Sequence, residues 1–412
     1  MNRRERAEAL LLAHCEAAAQ HTPPALRAAQ DAGRAAFAAQ GLPGVQLEEW
    51  RYSSTAPIAD FALSALADSN SATPGAGAPI PNSICEVPAA FRDLARPLAA
   101  SAPALLGALV DVKEHPFAAL NAALLQDGLH LRIPAGRELA EPLHLLLPAA
   151  RGLSNPRIVI EAEPGSRAVV VQEHPAPGAA EHFCNAVTEV QLGAGAAMHY
   201  VLLQRGNGLL VCNLAVRQER DSHFASHTLT LGGPFVRNDL SLSLAGSGAS
   251  CEMNGLCIAF GGLLDNHTAV DHAMPQCTSR QLYKGVLGGS ARGVFRGRVR
   301  VRPGAQQSDA QQSNPNLLLA DSAEMDSKPQ LEIHADDVKC SHGASMGRLD
   351  DEALFYLQSR GLGANAARAM LVRGFAGEML DALPASLGPI LPHFSAQLRE
   401  CIESALAAEA AQ

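Results

Sequence analysis

Between about residues 128 and 340, short apolar runs alternate with glycine-rich breaks, as in RIVIEAEPGSRAVVV (Arg157–Val171) and DLSLSLAGSGASCEM (Asp239–Met253). Runs end in a break at Val169–Gln172, Val201–Gln204, Leu229–Gly232, Ile258–Gly261 and Val286–Gly289, about 27 to 32 residues apart. Three of the breaks carry Gly-Gly pairs, at 232–233, 261–262 and 288–289. A steady period in this range is the pattern of a stacked solenoid, in which one rung cannot bury its apolar face until neighbours stack on it at roughly 4.8 Å. Glycines at the corners supply the positive φ that sharp turns demand. A β-sandwich is the alternative, but its turns recur every 8–12 residues or so. The longer period favours a parallel β-helix.

The flanks have a different texture. Leu10, Leu11, Ala13 and Ala17 fall near helical spacing, and a second Ala-rich segment after Pro23 and Pro24 ends at Gly41 as a glycine-capped helix would. Ser69–Pro81 (SNSATPGAGAPIP) reads as a loop, and helix is expected again over Ala104–Gln126. Near the C-terminus, Asp350 and Asp351 suit a helix start and Gly361 its end. Ala367, Met370, Leu371, Phe375 and Met379 then mark an amphipathic helix, and a last helix is expected over Phe394–Ala407. The fold class expected is therefore mainly β, a right-handed parallel β-helix over 128–345, flanked by helical regions over 1–127 and 346–412.

Composition narrows the function. Charged residues are 18%, aromatics 4%, and the net charge is −9, which disfavours a nucleic-acid partner wanting a basic excess and stacking platforms. Nine scattered cysteines contain no C-x-x-C pair, so neither a zinc ribbon nor a disulfide framework is expected, and a reducing cytoplasm is the expected compartment. The basic start, MNRRERAEALLLAHCEAAAQ, reads as an amphipathic helix rather than a signal peptide, and no apolar stretch is long enough to suggest a membrane span. The P-loop, G-x-G-x-x-G, G-x-S-x-G and H-E-x-x-H signatures are missing, so no nucleotide is expected on this chain.

Three groups of side chains have ligand chemistry. His223 and His227 share a strand face, and Asp265, His267 and His272 form a looser set; both groups more often line polar faces than hold metal. The sharpest signal is Cys340-Ser341-His342, closing KPQLEIHADDVKCSHG. The alternation of LEIHADDVKCSH suggests one extended strand, putting Cys340 and His342 on one face with Cα atoms roughly 6.5 Å apart. Thiolate and imidazole suit iron, zinc or copper, but two ligands do not complete a shell. Either the rest comes from distant residues or another chain, or the pair is a buried Cys beside a surface His.

CTSRQLYKGVL (Cys277–Leu287), ARGVFRGRVRV (Ala291–Val301), NPNLLL (Asn314–Leu319) and above all KPQLEIHADDVKCSHGASMGRLDDEALFYLQSRGL (Lys328–Leu362) resemble the SufD family of the Suf iron–sulfur cluster assembly machinery. GLPGVQLEEWRYSS (Gly41–Ser54) is similar to the family's Glu-x-Trp-[Lys/Arg]-Tyr signature, while residues 65–125 match weakly and His334 stands where many relatives carry Tyr. The resemblance implies a right-handed parallel β-helix with helical ends. It implies pairing with the paralogue SufB, a SufC ATPase subunit on the C-terminal helices within Gly363–Ala407, and a transient Fe–S cluster at the SufB–SufD interface. It places Cys340 and His342 at that interface, the histidine the more firmly implicated, as cluster or metal ligands on a chain that is a scaffold rather than an enzyme. A homodimer in isolation is also expected, through exposed solenoid strands. Two rivals remain: a SufB-like subunit accepting sulfur on Cys340, and a carbohydrate-active β-helix enzyme. Trp50, the only tryptophan, is expected to pack the N-terminal region onto the solenoid with Glu49 and Arg51 at a polar rim, a partner surface being the alternative, and Arg280 and Arg296 to support its turns or solvent faces.

Overall fold

The structure is a computed structural model and describes residues 1–66, 87–147, 152–174, 182–206, 208–388 and 391–410. The loop expected at Ser69–Pro81 lies outside the described residues. Helices α1 (Arg3–Ala19), α2 (Arg27–Gln40) and α3 (Ala56–Ala65) open the chain. Asn2 closes a capping box with Glu5 at the start of α1, and Gly41, at φ 63°, ends α2 where the sequence puts the stop. A short strand β1 (Ala95–Pro97), a single turn α4 (Leu98–Ser101) and α5 (Pro116–Ala123) complete the region.

The helix expected over Ala104–Gln126 is thus confined to α5. Residues before it run as turns because a buried carboxylate competes for their backbone. Glu189 accepts from the N–H of Gly107 at 2.8 Å and of Leu109 at 2.9 Å, and Gly107 sits at φ 75°.

The solenoid follows as β2 (Leu129–Ile133), β3 (Leu143–Leu146), β4 (Gly152–Ser154), β5 (Arg157–Ala162), β6 (Arg167–His174), β7 (His182–Leu192), β8 (Ala197–Arg205) and β9 (Leu209–Gln218). It continues through β10 (His223–Leu231), β11 (Phe235–Leu244), β12 (Ser250–Ala259), β13 (Leu263–His272), β14 (Thr278–Leu287), β15 (Arg292–Val301), β16 (Ser308–Leu318), β17 (Glu324–Ile333) and β18 (Val338–Gly347). The first sheet runs β1-β2-β5-β7-β9-β11-β13-β15-β17, with β4 beside β7; the second runs β3-β6-β8-β10-β12-β14-β16-β18. All pairs are parallel except β1–β2. The chain therefore alternates between two facing sheets, each coil stacking on the last. Phe235 pairs with Leu263 and Leu263 with Arg292, the repeat read from the glycine breaks.

At two of those breaks, Gly262 and Gly289, a side chain has no room. Gly262 lies at φ 76°, and a Cβ there would stand 2.1 Å from the Gly233 carbonyl oxygen of the coil below. Any substitution forces neighbouring turns apart.

An apolar core runs down the solenoid, including Leu131, Ile160, Val190, Leu214, Leu242 and Phe295. Both outer faces are covered. Trp50, Ile58 and Phe117 pack with Phe183, Leu209 and Phe235 of the first sheet. On the second sheet, Leu203, Leu229 and Leu256 meet Val372, Met379 and Leu398 from the last helices, α6 (Asp351–Ser359), α7 (Ala364–Asp381) and α8 (Leu391–Ala410). Asp350 caps α6 by accepting from the N–H of Glu352 and Ala353. The face α7 buries is Ala367, Ala369, Val372, Ala376 and Met379, so Met370 points outward and is 50% exposed, contrary to the expected stripe. Small residues face the sheet because they let the helix approach closely.

Candidate functional site

The extended strand expected over LEIHADDVKCSH is broken. Residues 334–337 turn a corner, so the segment is shared between β17 and β18, which close opposite sheets. Cys340 and His342 are both on β18, two residues apart, and keep a common face. In-register pairing identifies that face. Cys340 pairs with Ala310, which is fully buried, and His342 with Gln312, which is 3% exposed. Gln312 donates to the Gln281 side chain at 3.1 Å, and Gln281 accepts from Thr268 across the core at 2.7 Å. The pair therefore faces the interior, at the last coil.

No further coil stacks there among the described residues, so the interior opens to solvent. Nearly all of β18 is exposed, His342 included, while Cys340 is half-buried against a small cluster that includes Val299, Ala310 and Ala335. Burial pushes the Cys340 thiol above its usual value; a hydrogen bond with the Ala310 backbone opposes this, and nearby Asp309 adds to it. The thiol is thus protonated at neutral pH, and binding a metal would have to displace its proton. The Gln312 Oε1 is buried without a partner. Gln281, Gln312 and His342 form one row, so polar groups line the interior up to its mouth.

The other ligand groups do not assemble. His199 of β8 lies between His223 and His227 of β10, with ring centroids at 6.2 and 6.0 Å. His223 bonds Ser250 at 3.0 Å. Burial lowers the pKa of His227 to about 4. Asp265 and His267 do meet, at 3.0 Å, but His272 turns inward to Ser279 at 2.8 Å. Among the described residues no three His, Cys, Asp or Glu side chains converge as a metal site. The eight described cysteines are free thiols; six are buried and only Cys340 and Cys401 are half-buried.

What Asp265 and His267 build is an anchor. The fully buried Arg237 donates to both Asp239 oxygens at 2.8 Å, to Asp265 at 2.7 Å and to the Glu49 carbonyl at 2.9 Å. Its guanidinium lies 3.8 Å from the centroid of Trp50. Burial works to raise the Asp265 pKa, but His267 and Arg237 outweigh it and hold the group at about 2. Around this centre Arg296 pairs with Glu49 at 3.1 Å, and Lys328 pairs with Glu48. Arg280 joins adjacent coils through Asp309. The Glu-Glu-Trp-Arg-Tyr motif is therefore a fastening between helical region and solenoid. Arg237 escaped the sequence reading; a lone cation inside the FVRNDL run was its signal.

Residues 145–375, more than half of the chain, match the family described as "SUF system FeS cluster assembly, SufBD core domain". The chain belongs to the SufBD family. It is 32% identical over 281 residues to the iron–sulfur cluster assembly protein SufD of Escherichia coli (strain K12), covering 66% of each chain. A SufBD family protein of Synechocystis is 31% identical over 301 residues, covering 69% of this chain and 65% of the relative. The SufD of Bacillus subtilis (strain 168) is 28% identical over 284 residues, 67% and 64% of the two chains. The matches thus span about two thirds of the length of these relatives. Membership places this SufBD chain among iron–sulfur cluster assembly proteins. No helix of the described residues is long and apolar enough to cross a membrane.

Proposed function

We propose that the chain is a non-ATPase scaffold subunit of the Suf assembly complex, pairing with SufB through the open end of its solenoid. The nascent cluster is the cargo, and Cys340 and His342 supply part of its ligand shell. The observation that carries this reading is the position of the pair: side by side on the last strand, facing an interior that ends uncovered. Two donors cannot satisfy iron alone, and the edges of β17 and β18, unpaired among the described residues, are suited to a second solenoid that brings the rest. The same edges would serve a second copy of this chain when SufB is absent.

The test is His342→Ala in the co-purified complex. Because His342 is exposed, the variant should assemble normally by size exclusion while iron and sulfide per complex fall at least tenfold or so, about 1.4 kcal/mol or more in cluster retention. Clusters at the normal rate would refute it. The SufB-like alternative, with Cys340 as sulfur acceptor, fares worse, since an acceptor thiol needs access and a depressed pKa, the reverse of what burial does here.

SufC is assigned to the C-terminal helices. The apolar face of α7 is spent on the solenoid, so the surface for a partner is centred earlier, on Phe355 (74% exposed), Tyr356 (56%), Leu362 and Met370. Phe355→Asp should weaken SufC binding by about 2 kcal/mol or more, a hot-spot loss of roughly thirtyfold, with the melting temperature of the free chain unchanged. Equal binding in a pull-down titration would move the contact elsewhere.

A further inference from the structure

The interior row that ends at the solenoid mouth lacks one hydrogen bond at its last step. Met253, Gln281, Gln312 and His342 stand in register on β12, β14, β16 and β18. Gln312 Nε2 donates down the row to Gln281 Oε1 at 3.1 Å, and Thr268 Oγ1 donates to the same oxygen at 2.7 Å. At the inner end the row stops at Met253, whose side chain offers no oxygen to the unpartnered Gln281 Nε2. At the outer end the amide nitrogen and oxygen of Gln312 diverge from one carbon. With Nε2 turned to β14, the oxygen is left for the coil on the other side, which is β18.

That oxygen is buried and accepts from no group among the described residues, in a side chain that is 3% exposed. A buried acceptor without a donor is unfavourable. The fold nevertheless makes room for this amide. Gly297 of β15 faces it from the other sheet, and a Cβ there would stand 1.9 Å from Gln312 Nε2. The residue in register on the mouth side is His342, whose exposed ring is free to turn. A neutral imidazole has one N–H and one lone pair, so whatever accepts the N–H decides which nitrogen is left to bind metal.

We propose that Gln312 is a positioning residue for His342: in the assembled complex its amide oxygen accepts the N–H of the His342 ring, fixing the tautomer and leaving the other nitrogen's lone pair for iron. The proposal rests on the reading of His342 as a cluster ligand. A partner that closes the mouth confines the ring over the row and supplies the missing step of the ladder. The isolated chain carries the unpaired oxygen, and the complex uses it.

The experiment compares two substitutions. Gln312→Met keeps the length of the side chain and removes the oxygen; Gln312→Glu keeps an oxygen in its place. In the free chain, Gln312→Met should melt at or above the wild-type temperature, since it removes a buried acceptor that has no donor. In the co-purified complex the same variant should retain about tenfold less iron and sulfide, the usual scale for losing the outer partner of a metal-bound histidine. Gln312→Glu should retain clusters close to the wild-type level. A spectroscopic signature separates positioning from packing. In the reduced cluster, the ¹⁴N quadrupole coupling of the His342 nitrogen not bound to iron follows the hydrogen bond of its N–H. It should change in Gln312→Met and hold in Gln312→Glu; if Gln312→Glu does not fold, Gln312→Met against wild type carries the test. Wild-type cluster content in Gln312→Met, or an unchanged quadrupole coupling, overturns the proposal while leaving His342 a ligand. Clusters retained in His342→Ala would strike the ligand reading itself, and the proposal with it.

Discussion

Arg237→Met is expected to destabilise the chain by about 3–5 kcal/mol and to release the N-terminal helices first. The side chain is 2% exposed and serves three acceptors and an aromatic ring at once. Methionine fills similar volume, so little of the loss comes from a cavity. The loss comes from what stays behind: Asp239 and Asp265 buried without their cation, and the Glu49 carbonyl and Trp50 ring without their neighbour. Removing one partner of a buried charge network is far costlier than replacing all of it. Trp50 is the only tryptophan and packs 5.3 Å from Phe117 by ring centroids, so its fluorescence reports this anchor directly. Urea titration should show its transition at clearly lower denaturant in the variant. A shift worth less than about 1 kcal/mol would mean that Arg237 is not the fastening.

Acid should unfold the protein in two steps, histidines before carboxylates. Burial lowers His227 and His272 to about 4 and His174 to about 3. Unfolded histidine titrates near 6.5, so between that value and about 4 the unfolded chain binds more protons than the folded one. Stability from these groups is complete above about pH 6.5 and is lost as the pH falls toward 4, by about 3 kcal/mol for each buried ring. The carboxylates follow. Asp265, at about 2 when folded, contributes fully above its unfolded value near 3.9, and that contribution is lost as pH falls from there through about 2. Melting temperature against pH should thus begin to drop below 6.5. His227 has neither ring nitrogen bonded, so His227→Leu should flatten that first decline. A flat profile down to pH 4.5 would contradict the burial of these rings.

The solenoid was legible because its corners are chemically constrained. The Gly-Gly breaks mark turns where a Cβ at Gly262 or Gly289 would strike the backbone of the preceding coil, and a period set by sterics survives in the sequence. Caps behaved likewise at Gly41, Asp350 and Gly361. The misses have a common cause: tertiary partners overrode local preference. Residues 104–115 are helix-like in composition, but Glu189 takes their N–H groups. Met370 fits an apolar stripe, but alanines allow closer packing against the sheet. For the candidate site, the spacing of Cys340 and His342 gave their common face, yet not that this face is the interior. That depends on the corner at 334–337, where alternation runs unbroken through a turn.

The most direct test of the central claim is the hyperfine coupling of a nascent cluster trapped in the assembled complex, with ¹⁵N-histidine introduced into this chain alone. The account predicts one strongly coupled ¹⁵N nucleus, from His342 at the solenoid mouth. Coupling that appears only when the partner chain carries the label would show that this chain contributes no histidine to the cluster, contradicting the shared ligand shell.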